Sequence, residues 1–352
     1  MVSSIGTYNY QLAKFLSDLL SPLLPVNHCA KDTFSFIEEL QKVRCIDKFM
    51  MSFDVESLFT NIPLNETINL AVDLIFEKVT DIDISKPQLR KLFVFATKQT
   101  HFSFNDILYD QTDGVAMGSP LAPALANLFL GHYENIWLRD QKASKVMFYK
   151  RYVDDIFCIF EKEEHFQEFY DFINCQHQNI RFTFEKEENG TIPFLDILIN
   201  STPSSFETTT YYKKTYTGLL TNFTSFTSLC YKVGLVRTLV DRAFKINSCF
   251  LNFHNNLLKI KSNLQKNGFP LFFIDKHVKN YLDEIHTETN NNISPDTPRF
   301  YKLPYIDKYS ATVKKHLKDL VSRCCTDDTK IKLIFTPCKL ASFFSLVFSC
   351  SR

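Results

Sequence analysis

The sequence lacks the features that mark a secreted, zinc-binding or membrane-spanning protein. Its ten cysteines include no CxxC pair, and Cys324 and Cys325 are adjacent, so reduced structural thiols are expected. His28 and His254 have no partner at metal-ligand spacing. No N-terminal signal pattern is visible, and the apolar end ASFFSLVFS is much shorter than the ~20 residues of a spanning helix. Neither secretion nor membrane insertion is expected.

Repeats and low-complexity tracts are also absent, and the net charge is only +1. That small value hides an uneven distribution. Between Tyr211 and Asn267 nine basic residues accompany one acid, Asp241, so this segment carries +8 and the remainder −7. Clustered Lys and Arg indicate a nucleic-acid-binding surface, and a merely solvated face is the alternative. At 352 residues and 45% hydrophobic, the chain can form two or three domains with a large core.

Two short acidic elements are present, FMMSFDVESLF and YKRYVDDIFCIF. Asp54 ends the first apolar run, and the adjacent Asp154 and Asp155 lie between two β-rich flanks, which predicts a hairpin with carboxylates at its tip. Taken alone, VDD is better explained as an exposed turn. Together the two elements predict a site for magnesium, because hard oxygen ligands suit Mg²⁺ and two such ions can clamp the reacting oxygens of a nucleotidyl transfer.

Between these elements, QTDGVAMGSPLAPALANLFL joins a loop from Gly114 to Pro123 to an apolar helical run. Glycine lets backbone approach a ligand closely, so the loop is interpreted as a surface that faces substrate. A plain helix N-terminus with a capping serine explains the same residues equally well. The apolar residues of the predicted helix recur near helical spacing; they are Leu121, Leu125, Leu128 and Phe129.

The remaining pattern predicts an α+β fold, with helices on one face of an antiparallel sheet and the acids on the other. Helices are expected from Pro63 to about Val79, over KPQLRKLFVFAT with Ser85 as cap, and near Glu163 to Gln176. FSFNDILY predicts a hairpin around Asn105 and Asp106, and IRFTFEKE and IPFLDILI predict strands.

After Phe206 the pattern becomes helical. CFLNFHNNLLKIKSNLQKN predicts a helix that Gly268 and Pro270 end. TETNNNISPDTPRFYKLP is a polar, proline-containing linker, and SATVKKHLKDLVSR predicts one more helix with Ser310 as cap.

Four motifs in order, FDVESLFTNIP, GVAMGSPLAPALANLF, RYVDD and IPFLDI, resemble the successive palm motifs of a reverse transcriptase. SLFTNIP, MGSPLAP, FTFEKEENGTIPFLDI and YKVGLVRTLVDRA further resemble the Penelope-like retroelements, whose polymerase is similar to that of telomerase. The resemblance covers most of residues 1–340. It implies a right-hand polymerase palm followed by a helical, thumb-like domain.

The resemblance also implies roles for individual residues. Asp54, with the backbone carbonyl of Val55, and Asp154 would be the metal ligands, and Asp155 a supporting catalytic acid. Phe59 would screen out the ribonucleotide 2′-hydroxyl, although a core aromatic is the alternative among 35 phenylalanines. The other implied contacts are to the nucleotide (Gly118, Ser119 and Pro120), to the primer end (Phe194, Leu195 and Asp196, after an Asn189–Gly190 turn) and to nucleic acid (Lys213, Lys214, Lys232, Arg237, Arg242 and Lys245).

Three departures from the family pattern affect the expected activity. Met117 stands where many reverse transcriptases have glutamine, and no basic residue before Asp54 lies in a motif that matches the fingers. No GIY-YIG endonuclease pattern is present. We therefore expect an interior piece of a larger element, either a decayed copy or an incomplete gene model. The expected parts are a remnant that leads into the palm (1–45), the palm (46–205), a basic thumb-like domain (206–286), a linker (287–305) and a C-terminal helical segment with an irregular tail (306–352).

The function implied is an RNA-directed DNA polymerase that uses two Mg²⁺ ions, or Mn²⁺, to add dNTPs to a DNA primer on an RNA template. The alternative is a catalytically inactive remnant that binds nucleic acid. Another palm-type nucleotidyl transferase, or an RNA-templated RNA polymerase, is a weaker third possibility. The protein is expected to be intracellular, with the nucleus suggested by its DNA product, and nothing in the sequence indicates protein partners.

Overall fold

In the computed structural model, the chain divides into two units, with the boundary between Tyr212 and Lys213. The acidic motifs belong to the first unit, and nearly all of the basic segment belongs to the second. None of the helices within the described residues is both long and apolar enough to cross a membrane. The structure describes residues 4–43, 48–98, 100–203, 205–287, 299–304, 312–317 and 331–336.

Two helices precede the first acidic strand. Helix α1 (Tyr10–Leu20) buries one apolar side and continues into a 3-10 turn (Ser21–Leu23). Helix α2 (Thr33–Leu40) begins with a capping box, in which the Asp32 side chain accepts from the backbone N–H of Ser35 and the Ser35 hydroxyl oxygen accepts from the backbone N–H of Asp32. This reciprocal pair fixes where α2 starts, ahead of the acidic strand.

The predicted acidic strand is β1 (Phe49–Val55), and Asp54 is its exposed residue between two buried ones. A short helix, α3 (Leu58–Asn61), follows. The predicted helix after Pro63 is confirmed as α4 (Leu64–Lys78), and the helix after Ser85 as α5 (Lys86–Lys98).

The predicted hairpin around Asn105 and Asp106 is also confirmed. Strands β2 (His101–Phe104) and β3 (Ile107–Asp110) pair antiparallel. Both turn residues have positive φ, 48° and 60°, as a two-residue type I′ turn requires.

The predicted loop helix is α6 (Ala122–Trp137), and the apolar residues predicted to line it are buried. It begins two residues beyond Pro120, with Pro123 in its first turn, where a missing N–H costs nothing.

The remaining parts of the main sheet come after α6. Strands β4 (Val146–Tyr152) and β5 (Asp155–Phe160) form the acidic hairpin, and α7 (Glu163–Asn174) and β6 (Phe182–Lys186) follow. The strand order is β4-β5-β1-β6, and each neighbouring pair is antiparallel. β1 therefore lies between β5 and β6, and its pairing with both strands fixes the position of Asp54 along the sheet.

The two faces of this sheet differ in chemistry. Phe53, Val55, Ile156 and Cys158 point to one face, where they pack with helices α4 to α7 in the main hydrophobic core. Asp54 and its cross-strand partner Asp155 point to the opposite face. The prediction that the helices cover one face and leave the acids on the other is confirmed. The acidic face is itself covered in part, because the α2 ring of Phe36 packs on Phe157.

A second, three-stranded sheet consists of β7 (Thr191–Phe194), β8 (Ile197–Ser201) and β9 (Phe206–Thr210). The prediction of IPFLDILI as one strand was wrong, because the chain reverses at Leu195 and Asp196, both at positive φ. The helical pattern expected after Phe206 likewise begins with a strand, β9, which hydrogen-bonds to β8.

Up to residue 287, the described part of the second unit contains three helices: α8 (Leu229–Ile246), α9 (Phe250–Lys266) and α10 (Leu271–Thr287). They share a small apolar core of their own. The predicted end of α9 is confirmed, since Gly268 takes the left-handed conformation (φ 82°) that commonly closes a helix. The expectation of a helical domain after the palm is therefore confirmed.

Later segments differ from the predicted linker. The stretch RFYKLP, expected to be irregular, forms β10 (Arg299–Pro304), which pairs parallel with β11 (Ile331–Thr336). Residues 312–317 of the predicted last helix are helical. Its expected cap, Ser310, lies outside the described residues, as do residues 288–298 of the linker.

Candidate active site

Asp54 lies at the end of β1, where the sheet brings the acidic hairpin beside it. Its cross-strand neighbours are Asp155 on β5 and Thr183 on β6. Residues directly opposite in an antiparallel pair project to the same face, so Asp54 and Asp155 share one side of the sheet. Asp54 alternates with apolar residues that fill the core, and this alternation turns its carboxylate outward.

Asp154 reaches the same place from the hairpin turn. Val153 and Asp154 are the two residues that link β4 to β5, since Tyr152 pairs with Asp155. The backbone N–H of Val55 donates to the Asp154 carbonyl at 3.2 Å, which ties the turn to the last residue of β1. The predicted hairpin is confirmed, with the refinement that Asp154 lies in the turn and Asp155 opens β5.

The electrostatics of Asp54 reflect this gathering of acids. The pKa of Asp54 is raised from its ordinary value, first by partial burial and then by the negative charges of Asp154, Glu185 and Glu56. A raised carboxyl pKa means that the ionised form is disfavoured until a cation arrives. The structure thus brings Asp54 and Asp154 close enough for each charge to act on the other.

The donor set fits a hard divalent cation. Two carboxylates and the Val55 carbonyl are all oxygen ligands, the kind that Mg²⁺ and Mn²⁺ prefer, and Mg²⁺ commonly takes only one or two protein carboxylates. In the part of the chain that the structure describes, no group of three or more His, Cys, Asp and Glu side chains could hold a metal ion. A cation here would therefore complete its shell with water or substrate oxygens.

The glycine loop, residues 114–123, is hydrogen-bonded to the segment that follows Asp54. The Val115 N–H donates to the Phe59 carbonyl at 2.6 Å. Gly114 has φ 74°, and a Cβ there would come within 2.6 to 2.8 Å of backbone atoms of Phe59 and Thr60. The requirement for glycine at 114 is thus a close approach of two backbones. Phe59 itself is half-buried beside the core, so its two interpretations both remain open.

The other predicted loop residues make contacts within the first unit. The Gly118 carbonyl accepts from the Ser4 hydroxyl at 2.6 Å. Ser119 lies three residues before the start of α6; its hydroxyl oxygen accepts from the Leu121 N–H at 3.4 Å and its carbonyl accepts from the Ala122 N–H at 3.2 Å. Met117, Gly118 and Ser119 also line a cavity of about 820 Å³. The loop therefore borders an open space as well as starting a helix.

The predicted primer-support residues form the tip of the β7–β8 hairpin. Phe194 is buried, with its ring 4.9 Å from that of Phe36 and 5.4 Å from that of Phe157. Phe157 follows Asp155 by two residues and shares its face. Leu195 and the exposed Asp196 make the turn. This hairpin thus packs on the face of the sheet that carries the acids.

In the second unit, the predicted basic residues differ in accessibility. Lys213 and Lys214 are exposed. Arg237 pairs with Glu284, and Lys245 pairs with Asp241 at 2.9 Å. Lys232 is only 9% exposed, and its ammonium donates to the Ser225 carbonyl at 2.9 Å. Its burial does not fit a direct phosphate contact and points to a structural role.

One functional candidate could not be predicted from the sequence. Arg151 of the RYVDD motif is completely buried and forms an ion pair with Glu134 of α6. The available signal was weak: a charged residue in an apolar strand, and another in an apolar helix seventeen positions earlier in the chain. Their pairing depends on how β4 and α6 pack and could not be read from local pattern.

Comparison with known proteins identifies the first unit. Residues 6–188 match the family model described as reverse transcriptase (RNA-dependent DNA polymerase), which is more than half of the chain. The chain belongs to the reverse transcriptase family. Residues 219–279 of this reverse transcriptase, across α8, α9 and part of α10, match a model described as an animal helix-turn-helix domain. No curated protein sequence matches the chain.

One solved structure supports the fold of this reverse transcriptase. Telomerase from Candida albicans, in complex with a fragment of telomeric RNA, aligns with a TM-score of 0.57 at 11% identity, over 80% of this chain and 53% of that one. The chain therefore spans about half the length of that telomerase. Apo telomerase from Candida tropicalis aligns more weakly, with a TM-score of 0.47 at 12% identity over 81% of this chain and 52% of that one. A Sicinivirus RNA-dependent RNA polymerase aligns with a TM-score of 0.42 at 15% identity over 81% of this chain and 56% of that one.

Proposed function

We propose that the chain is an RNA-directed DNA polymerase that extends a DNA primer on an RNA template with dNTPs. The observation that carries this proposal is the meeting of Asp54 and Asp154 at the end of β1, where the charges that raise the pKa of Asp54 are those of Asp154, Glu185 and Glu56. Such a site attracts divalent cations and, through them, a triphosphate. Family membership supports the same reaction.

In the proposed mechanism, Asp54, Asp154 and the Val55 carbonyl hold Mg²⁺, and Mn²⁺ could replace it. Two such ions, when bound, lower the pKa of the primer 3′-hydroxyl and offset charge on the departing pyrophosphate. The primer 3′-hydroxyl gives its proton to water, and its oxygen forms a bond to the α-phosphorus of the dNTP while the bond from that phosphorus to the bridging oxygen breaks, which releases pyrophosphate. Asp155, opposite Asp54, adds negative charge that favours the cations. The Phe194 hairpin, packed on the acidic face, supports the primer end.

Primer extension with Mg²⁺ and dNTPs tests the proposal. Wild type is expected to extend a DNA primer on RNA, and Asp154→Asn is expected to lose incorporation while its affinity for the primer–template is retained or increased. Asp83→Asn, which changes an exposed acid ahead of α5, is the matched control and should extend like wild type. Extension by Asp154→Asn at the wild-type rate would refute the assignment.

A second candidate is a nucleic-acid-binding remnant without catalysis. One observation favours it: the cavity beside Met117 and Gly118 is lined by Asp110 and Asp113 and, among the described residues, by no lysine or arginine. Within the described residues, that lining supplies no lysine or arginine charge to offset a triphosphate. Equal binding of primer–template by wild type and Asp154→Asn, with incorporation by neither, would support this candidate over the first.

The finer assignments rest on sequence motifs. SLFTNIP, MGSPLAP and YKVGLVRTLVDRA support a retroelement polymerase of the Penelope-like type. A DNA product destined for a genome supports nuclear residence, which imaging of the tagged full-length chain in host cells would test. Exclusion from nuclei would contradict that assignment.

The second unit is proposed to contact the nucleic-acid backbone. The positive charge of Lys213, Lys214 and Arg242 supports this, because phosphate contacts dominate affinity for nucleic acid. The likeness of residues 219–279 to a helix-turn-helix domain adds support, since such units commonly present one helix to a duplex groove. Lys232 is excluded from the proposed surface because its ammonium is already bound within the unit.

A further inference from the structure

Arg151 is a buried charge that the proposed chemistry does not use directly. It lies in β4, three residues before Asp154, with none of its surface exposed. Its Nε donates to Glu134 Oε1 at 2.6 Å and its Nη2 to Glu134 Oε2 at 3.1 Å. Two parallel bonds of this kind fix the plane of the guanidinium. Burial alone would lower the pKa of Arg151, but the Glu134 carboxylate raises it, so the guanidinium remains protonated.

The remaining donors of Arg151 reach a second residue of α6 and two other segments. Nη1 donates to the Val153 carbonyl at 2.9 Å and to Asn127 Oδ1 of α6 at 2.8 Å. Nη2 also donates to Cys29 Sγ at 3.2 Å, in the segment that precedes α2. Glu134 is oriented in turn by the Tyr149 hydroxyl, which donates to Oε1 at 2.7 Å. One guanidinium therefore joins α6, β4 and the hairpin turn.

The turn needs such support because its backbone is strained. Val153 has φ 57°, in the left-handed region, where a β-branched side chain crowds its own backbone. A conformation of this kind persists only when surrounding contacts hold it, and it occurs most often at functional sites. The Arg151 contact is made to Val153 itself, on the carbonyl of the peptide bond that leads into Asp154.

We infer that Arg151 is a positioning residue, which holds the strained Val153 turn so that the Asp154 carboxylate stays beside Asp54. The Val55–Asp154 backbone hydrogen bond completes the link from Arg151 to the end of β1. The structural part of this inference stands on the contacts alone, and its catalytic part rests on the proposed function.

Stability alone does not account for the pair. A buried ion pair is often no more stabilising than apolar residues of similar size, whereas loss of one partner leaves an unpaired buried charge. The Arg151–Glu134 pair contacts Val153, the strained residue before Asp154, so we attribute to it the fixing of the turn. The test must therefore separate the fixing of the turn from the general stability of the core.

Two variants of the full-length chain achieve this separation. The triple change Glu134→Leu, Arg151→Met and Tyr149→Phe removes both charges and the dependent hydroxyl together, so that no buried charge is left unpaired. Arg151→Lys keeps a cation opposite Glu134 but has no second arm to reach Val153. Thermal melting then reports whether each variant has kept its core.

Amide hydrogen exchange of the turn, measured without metal by mass spectrometry, is the deciding observation. Because both variants lack the hydrogen bond from a charged donor to Val153, exchange in the peptide over residues 152–156 is expected to rise about tenfold or more. Peptides from α4 and α5 should exchange as in wild type. Unchanged exchange at the turn, in a variant that melts like wild type, would overturn the inference.

Primer extension supplies a second test of the positioning role of Arg151. Turnover should fall about tenfold or more in both variants while the KM for primer–template stays at its wild-type value, since the contact surface is untouched. A rise in KM alone, with turnover unchanged, would count against positioning. If wild type extends no primer at all, the proposed function fails, and the exchange experiment still decides whether Arg151 holds the turn.

Discussion

At the scale of a single residue, Asp54 is the exposed carboxylate of a strand whose alternate side chains pack in the core. Met51, Phe53 and Val55 are almost completely buried, and Asp54 is exposed among them. Partial desolvation and three neighbouring acids raise its pKa. Ionisation of Asp54 at neutral pH is therefore less favourable in the folded chain than in the unfolded one.

A stability prediction follows from the direction of that shift. A carboxyl pKa raised in the folded state contributes stability that is fully present below the unfolded value of about 3.9 and is lost as pH rises through the folded value. In EDTA at pH 7, Asp54→Asn should therefore melt at a higher temperature than wild type. The gain should disappear as pH falls towards about 4.

Asp83→Asn controls for the loss of one surface charge and should change the melting temperature little at either pH. Mg²⁺ should stabilise wild type and not Asp54→Asn, since the cation binds the ionised pair. A lower melting temperature for Asp54→Asn than for wild type in EDTA at pH 7 would contradict the argument.

Phe59 offers a second test at this scale. If its ring screens the 2′-hydroxyl, Phe59→Val should raise incorporation of ribonucleotides relative to deoxyribonucleotides by about tenfold or more, because the steric barrier is removed. Phe59→Tyr keeps the ring and should retain the wild-type preference. If Phe59 is only a core residue, Phe59→Val will lower the melting temperature and leave the nucleotide preference as it was.

At the scale of an element, the glycine loop depends on one close approach. Gly114→Ala would place a Cβ at 2.6 Å from the Thr60 carbonyl oxygen on a backbone with φ 74°. Both effects are unfavourable for alanine, so we expect the free energy of unfolding to fall by about 1–3 kcal/mol. Since the same loop is hydrogen-bonded to Phe59, incorporation should fall as well.

Gly234→Ala is expected to have the opposite effect on the free energy of unfolding. Gly234 lies inside α8, and nothing is within 4 Å of a Cβ built there. Gly234→Ala should therefore raise the free energy of unfolding of its unit by about 0.5–1 kcal/mol, because alanine loses less backbone entropy in a helix. Denaturant unfolding of both variants checks the pair, and two changes of the same sign would contradict the glycine argument.

At the scale of the whole molecule, opposite charges are divided between the units. The first unit holds the acids that are proposed to bind cations, and the second carries most of the excess of Lys and Arg. A net charge near zero is thus compatible with a protein that binds both divalent metal ions and phosphate backbones.

Salt dependence checks this division. Changing Lys213 and Lys214 together to alanine should weaken affinity for an RNA–DNA duplex and reduce the slope of log K against log salt by about 0.9 for each phosphate that is no longer neutralised. Lys232→Ala is the matched control: it should lower stability, because Lys232 binds Ser225 internally, and leave the slope unchanged. An unchanged slope in the double variant would remove these lysines from the binding surface.

Local pattern was sufficient for much of the fold. An apolar run predicted β1, two β-rich flanks predicted the acidic hairpin, helical spacing predicted α4 and α6, and Gly268 predicted the end of α9. These features depend on neighbours within a few residues, which a sequence displays directly. The motif order likewise indicated the family that residues 6–188 match.

Other features were decided only by contacts between distant segments. The Leu195–Asp196 turn contains no glycine, and β10 and β11 pair across more than twenty-five intervening residues, so neither had a local signal. The burial of Lys232 and the pairing of Arg151 with Glu134 depend on packing between elements.

The sequence by itself determined which carboxylates are candidates to bind a cation, because that follows from side-chain chemistry. Whether Asp54 and Asp154 meet was decided by the tertiary structure, since they are a hundred positions apart and only the antiparallel pairing of β1 with β5 brings them together. The strain at Val153 and the hydrogen bond from Arg151 to its carbonyl were likewise decided by the tertiary structure. Both arise from backbone geometry and packing that no short stretch of sequence specifies.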